Sequence, residues 1–114
     1  MLFTILAAAI TLTAPSSCFS PCDFKVVLRV TPAADNVMVV LEIGAPDSDY
    51  YRRSDIEYDA KSARTRELPY IGVPEGTYTV LATLWKRGLD GRFKIADSAS
   101  KRLRILGDNV GIGN

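Results

Sequence analysis

The stretch Val73-Pro74-Glu75-Gly76-Thr77-Tyr78-Thr79-Val80, running straight into Leu81-Ala82-Thr83-Leu84-Trp85, constrains this chain more than any other. Pro74 fixes φ ahead of a turn, and Gly76 takes a positive φ at no steric cost. From Thr77 onward the side chains alternate. Tyr78, Val80, Ala82 and Leu84 share one side, and Thr77, Thr79 and Thr83 share the other. A period of two with one apolar side is a half-buried strand. The same parity puts Leu81 and Trp85 on the outward side, where large apolar groups are least expected.

Similar punctuation runs through the rest of the chain. Phe24, Val26, Leu28 and Val30 alternate with Lys25, Val27, Arg29 and Thr31, which predicts a second two-faced strand. Thr31 to Asn36 is a turn with Pro32 and Asx residues. Val37 to Ile43 is almost wholly apolar and β-branched, and reads as a central strand covered on both sides. A loop from Gly44 to Asp49 follows. The stretch from Tyr50 to Arg66 carries little pattern beyond a short strand around Asp55 to Tyr58. Arg66 to Ile71 is a strand in which Pro69 points to a sheet edge or a bulge. Gly88-Leu89-Asp90-Gly91 is a hairpin turn. Phe93 and Ile95, then Leu103 and Ile105, carry the last two strands. The expectation is an all-β fold of about seven short antiparallel strands with frequent turns, the pattern of an immunoglobulin-like or fibronectin-III-like sandwich.

The first 22 residues hold no charged side chain, and Leu2 to Ala14 is an apolar run. The run is too short for a bilayer span, which takes about 20 residues, and suits a signal-peptide core or an N-terminal anchor. The domain boundaries are therefore 1–22 for the leader, 23–106 for the sandwich and 107–114 for a flexible Gly-rich tail. The leader makes an exported protein the expected one, periplasmic, cell-surface or secreted. Cys18 and Cys22 are the two cysteines, positioned for lipidation after the apolar run or for a small disulfide loop.

Histidine is absent. Ser-His-Asp and Cys-His machinery cannot be built, and neither can the usual His-containing zinc sites. With 14 Lys and Arg against 13 Asp and Glu, the net charge of +1 gives no global field for nucleic acid. Membrane contact is expected only through the leader.

From about Phe24 to Leu106 the chain resembles small exported bacterial domains with an immunoglobulin-like or fibronectin-III-like sandwich. The residues that carry the resemblance are Asp49-Tyr50-Tyr51-Arg52-Arg53-Ser54, Ala63-Arg64-Thr65-Arg66, the Val73 to Val80 corner, and Ala99 to Ile105. The Pro74-x-Gly76-x-Tyr78 spacing resembles the corner in such sandwiches where a Tyr hydroxyl bonds back across an inter-sheet connection. The resemblance implies a fold and carries no catalytic residue with it.

Candidate sites follow from residue chemistry. Tyr50, Tyr51, Arg52, Arg53, Tyr58 and Trp85 are the candidate interaction surface, with Tyr70 as a further aromatic. Asp47, Asp49 and Asp55 have oxygens for a hard cation, yet lie beside Arg52 and Arg53 and are better read as turn caps and ion-pair partners. Lys86, Arg87, Arg92 and Lys94 flank one hairpin, with Lys101, Arg102 and Arg104 beyond it. With Lys25 and Arg29 they are candidates for a basic face toward acidic polysaccharide, phospholipid head groups or nucleic acid; the favoured reading is edge and outward charge that blocks aggregation, with Asp90 and Asp97 interleaved. Glu57, Asp59, Glu67 and Glu75 show no spacing for paired-carboxylate chemistry. The expected function is non-catalytic, with no metal or cofactor: a protein-interaction or structural module of the cell envelope or surface. A glycan-binding module using the aromatics is the first alternative. A self-assembling polymer subunit that exchanges a strand is the second.

Overall fold

The computed structural model describes residues 9–46, 48–58 and 64–107 of the chain. It contains eight strands and no helix among those residues: β1 (Ile10–Thr13), β2 (Ser17–Phe19), β3 (Cys22–Val30), β4 (Asn36–Gly44), β5 (Tyr51–Glu57), β6 (Thr65–Val73), β7 (Gly76–Arg87) and β8 (Phe93–Leu106). They form two sheets, a three-stranded one in the order β1-β3-β6 and a five-stranded one in the order β2-β8-β7-β4-β5. All pairings are antiparallel except β2 with β8. Two mainly antiparallel sheets closed on one core, with β4, β7 and β8 together in the larger one, make an immunoglobulin-like sandwich.

The core forms where the apolar parities meet. Val26, Leu28 and Val30 of β3 face Val39, Leu41 and Ile43 of β4 and Val80, Ala82 and Leu84 of β7, all almost fully buried. Alternation in β3 and β7 is thus the direct cause of the layer. Leu103 and Ile105 of β8 and Tyr70 of β6 complete it, with Phe24 stacked on Tyr70 at 5.4 Å.

The corner is built as its spacing implies. Tyr78 is completely buried, and its hydroxyl donates to the Pro74 carbonyl at 2.9 Å. Ser48 Oγ lies 3.2 Å from the same hydroxyl and accepts the Tyr50 amide at 3.1 Å. The corner thereby ties the β4–β5 loop to the start of β7. Gly76 serves this twice: it takes the expected positive φ, +157°, which L side chains rarely adopt, and a Cβ there would stand 3.1 Å from the Tyr78 ring.

Three expectations about elements are revised. The sandwich begins before residue 23, because Ile10 and Leu12 are core residues and β1 pairs with β3 from Ile10↔Val30 to Thr13↔Val27. Asp97 of β8 fixes this strand, accepting the Ala9 and Ile10 amides at 3.0 and 3.3 Å. The two strands expected after residue 92 are one continuous strand, β8, whose break in parity is a bulge opposite Leu84 and Trp85. The charged strand after residue 50 is longer than expected, because β5 is a sheet edge, where polar side chains on both faces are tolerated. Pro69 does lie in an edge strand, β6.

Cys18 and Cys22 form a disulfide that joins β2 in one sheet to β3 in the other. Neither thiol is free. Of the expected tail, only Gly107 falls within the described residues.

Candidate functional site: the outer face of the five-stranded sheet

Register places one set of side chains from β5, β4, β7 and β8 on the outside of the larger sheet. The rows run Glu57–Met38–Trp85–Ile95, then Asp55–Val40–Thr83–Ser98, then Arg53–Glu42–Leu81–Ser100, then Tyr51–Gly44–Thr79–Arg102. The first row follows from the β8 bulge, which brings Ile95 opposite Trp85. Trp85 is half-buried between Met38 and Ile95, and Ile95 is 60% exposed.

Val40 decides what kind of face this is. It is only 5% exposed although it lies outside the core cluster. Its neighbours on its own sheet cover it, so the face has a small apolar floor of its own. Val37 to Ile43 was expected to be covered on both sides. Among the described residues, no second layer covers the outer side.

Polar groups rim the apolar centre. On β5, Arg53 pairs with Asp55 at 2.9 Å. Tyr51 donates its hydroxyl to Glu42 Oε2 at 2.7 Å. That hydrogen bond to Glu42 is the main reason the Tyr51 phenol is held above its ordinary value, with Arg53 pulling the other way. A shallow recess bounded by Val37, Met38, Glu57, Tyr58 and Phe93 opens at the Trp85 end.

The six residues singled out in the sequence do not form one surface. Trp85, Tyr51 and Arg53 are on this face, but Tyr51 and Trp85 lie six positions apart along the β4 ladder, about 20 Å at ~3.3 Å per residue. Tyr50 turns the other way and meets the buried Tyr78 ring edge-on at 5.8 Å. Arg52 covers the Tyr50 ring, its guanidinium 4.4 Å from the centroid. Tyr58 is a core residue, 6% exposed, with Arg66 over its ring at 5.3 Å. Burial pushes the Tyr58 phenol up and Arg66 partly offsets this. The expectation that Tyr58 contributes to a surface is corrected: β5 ends at Glu57 and the next inward position falls over the core. Tyr70 is buried too, its phenol likewise pushed up by burial.

No protein-family model matches the chain, and no curated protein matches it. Among solved structures it is similar to murine CRIg. The identity is 16% and the TM-score 0.44, over 87% of this chain and 98% of that one.

Residues missed in the sequence are Met38, Val40 and Ile95. Their signal was present for the first two: in an all-apolar strand the odd parity must face something, and Met38 and Val40 register with Trp85 and Thr83. Ile95 depended on a bulge that no spacing rule reveals. The other candidates scatter. Asp55 is held by Arg53, and Asp47 and Asp59 lie outside the described residues. Glu57 is on the outer face of the five-stranded sheet. Glu67 is on the outer face of the other sheet, 3.5 Å from Lys25. Two carboxylates on opposite outer faces cannot flank one glycosidic bond.

Proposed function

We propose that this chain is an exported, non-catalytic sandwich that acts as a protein-interaction or structural accessory module of the cell envelope or surface. Its contact is the outer face of the five-stranded sheet. The observation that carries this reading is the half-buried Trp85 set between Met38 and the exposed Ile95 over the Val40 floor. An apolar centre with an aromatic anchor and a charged rim is the usual build of a protein-binding patch. The Cys18–Cys22 disulfide supports export, because such bridges persist in oxidising compartments. The place of Ile10–Thr13 in the sandwich favours a leader that is retained, or one cut before Ala9.

The test is capture from envelope extracts with the full chain as bait, in parallel with Trp85→Arg. A specific partner retained by the native chain and lost with Trp85→Arg is the expected result. A monomer that captures nothing, or a partner indifferent to Trp85, overturns the reading. Intact mass of the protein from its native source tests export and the fate of the leader. The glycan alternative has less support, since Tyr50, Tyr58 and Tyr70 turn inward and leave Trp85 without an aromatic partner in its own row. Trp85 fluorescence should therefore stay unchanged on adding glycans.

A further inference from the structure

The tip of the β7–β8 hairpin combines exposed apolar side chains with a cluster of cations. Leu89 is fully exposed at the apex, and Phe93 is 50% exposed beside it. Four cations surround them: Lys86, Arg87, Arg92 and Lys94. Lys86 is paired with Asp35 at 3.3 Å, whereas Arg87, Arg92 and Lys94 make no ion pair with any described residue. Asp90, the acid expected to interleave with them, instead accepts the Arg92 backbone amide at 3.0 Å and closes the turn. The turn is set by bonds from Gly88 N to Arg92 O at 2.7 Å and from Gly91 N to Gly88 O at 3.0 Å, with Gly91 at φ +79°. Arg87 lies over the Phe93 ring at 5.7 Å. Leu89 is thus presented on a fixed loop.

We propose that this tip docks on an anionic bilayer surface. Leu89 and Phe93 enter the boundary between headgroups and acyl chains, and Arg87, Arg92 and Lys94 engage the lipid anions. The inference goes beyond the partner-binding reading and does not use Trp85. Two other occupants fit less well. A protein interface needs about 800 Å² from each side with matched shape, which one apex with two apolar side chains does not offer. A polyanion such as nucleic acid would use the cations and leave Leu89 in water. A bilayer accepts both groups without shape matching, and each Lys or Arg near its surface strengthens binding about fivefold.

The test is flotation of the full chain with vesicles of phosphatidylcholine alone, and with phosphatidylglycerol added at about one third, at low and high salt. Binding is expected only to the anionic vesicles and is weakened by salt. The triple variant R87Q/R92Q/K94Q should lose roughly a hundredfold in affinity, from three such contacts. Leu89→Asp should weaken binding at least tenfold without changing Trp85 fluorescence, which reports the fold. Binding that survives the triple variant belongs to the apolar N-terminus and overturns the proposal. So does equal binding to both vesicle types. Binding to heparin or oligonucleotide that is unaffected by Leu89→Asp makes the tip a polyanion site and also overturns it.

Discussion

The outer faces of the two sheets carry very different chemistry although both belong to one sandwich. The three-stranded sheet presents Thr11 and Thr13 of β1, Lys25 and Arg29 of β3, and Thr65 and Glu67 of β6. Its apolar members, Val27, Pro69 and the exposed Ile71, are spread among these polar groups. The five-stranded sheet presents Met38, Val40, Leu81, Trp85 and Ile95 in adjoining rows. The core needs one apolar face per sheet, and beyond it the small sheet offers only scattered apolar groups with no aromatic among them. The large sheet supplies a second apolar face that the fold does not use. On the proposed reading, function would draw on the parity that the core leaves over.

The sharpest way to break the comparison is to truncate neighbours of opposite parity on β7. Leu84→Ala, at a fully buried position, should cost about 2–5 kcal/mol by denaturant unfolding. Trp85→Ser, one residue on, should cost about 1 kcal/mol or less in the same assay, since its face is only half-covered. Equal losses would make the outer face a second core and remove the distinction. Next in size is Tyr78→Phe, which deletes the bond to Pro74 and the contact with Ser48 Oγ, leaving Ser48 only the Tyr50 amide. It should cost about 1–2 kcal/mol and leave binding through Trp85 intact. At the small end, Lys25→Ala on the wet face removes an exposed pair with Glu67 and should shift stability by no more than about 0.5 kcal/mol.

Alkaline titration reads out the tyrosines whose phenols the fold holds up, Tyr58 and Tyr70 by burial and Tyr51 by its bond to Glu42. Burial raises the Tyr58 and Tyr70 phenols in the folded chain, while in the unfolded chain they ionise near pH 10. Above that point the folded state holds more protons than the unfolded one, so stability falls as pH rises and is unaffected below it. Unfolding midpoints that are flat from neutrality to about pH 10 and then decline are the expected result. Ultraviolet titration should show three phenols ionising late, the buried Tyr58 and Tyr70 and the Glu42-bound Tyr51.

Much of the fold is legible in the sequence because β3 and β7 alternate cleanly and the Pro74-Gly76-Tyr78 spacing has one structural use. The parts that resist reading have identifiable causes. Ile10 and Leu12 alternate with Thr11 and Thr13, but four residues inside an uncharged run carry the same composition as a signal-peptide core. β5 shows no apolar alternation because its edge position allows charge on both sides. The candidate site was only half legible. Trp85 was visible by parity, whereas tyrosines attract a surface reading through their hydroxyls and here mostly point inward. Asp90 and Asp97, which seemed to neutralise nearby cations, are hydrogen-bonded to backbone amides instead.

The strand formed by Ile10–Thr13 has a consequence for timing. The same apolar residues that export machinery would need extended and accessible are those that close the β3 edge and are gripped by Asp97. Under the proposed export, translocation and folding would compete for one segment, and whichever engaged it first would decide the outcome. A chain cut downstream of Thr13 would emerge with β3 as an open edge.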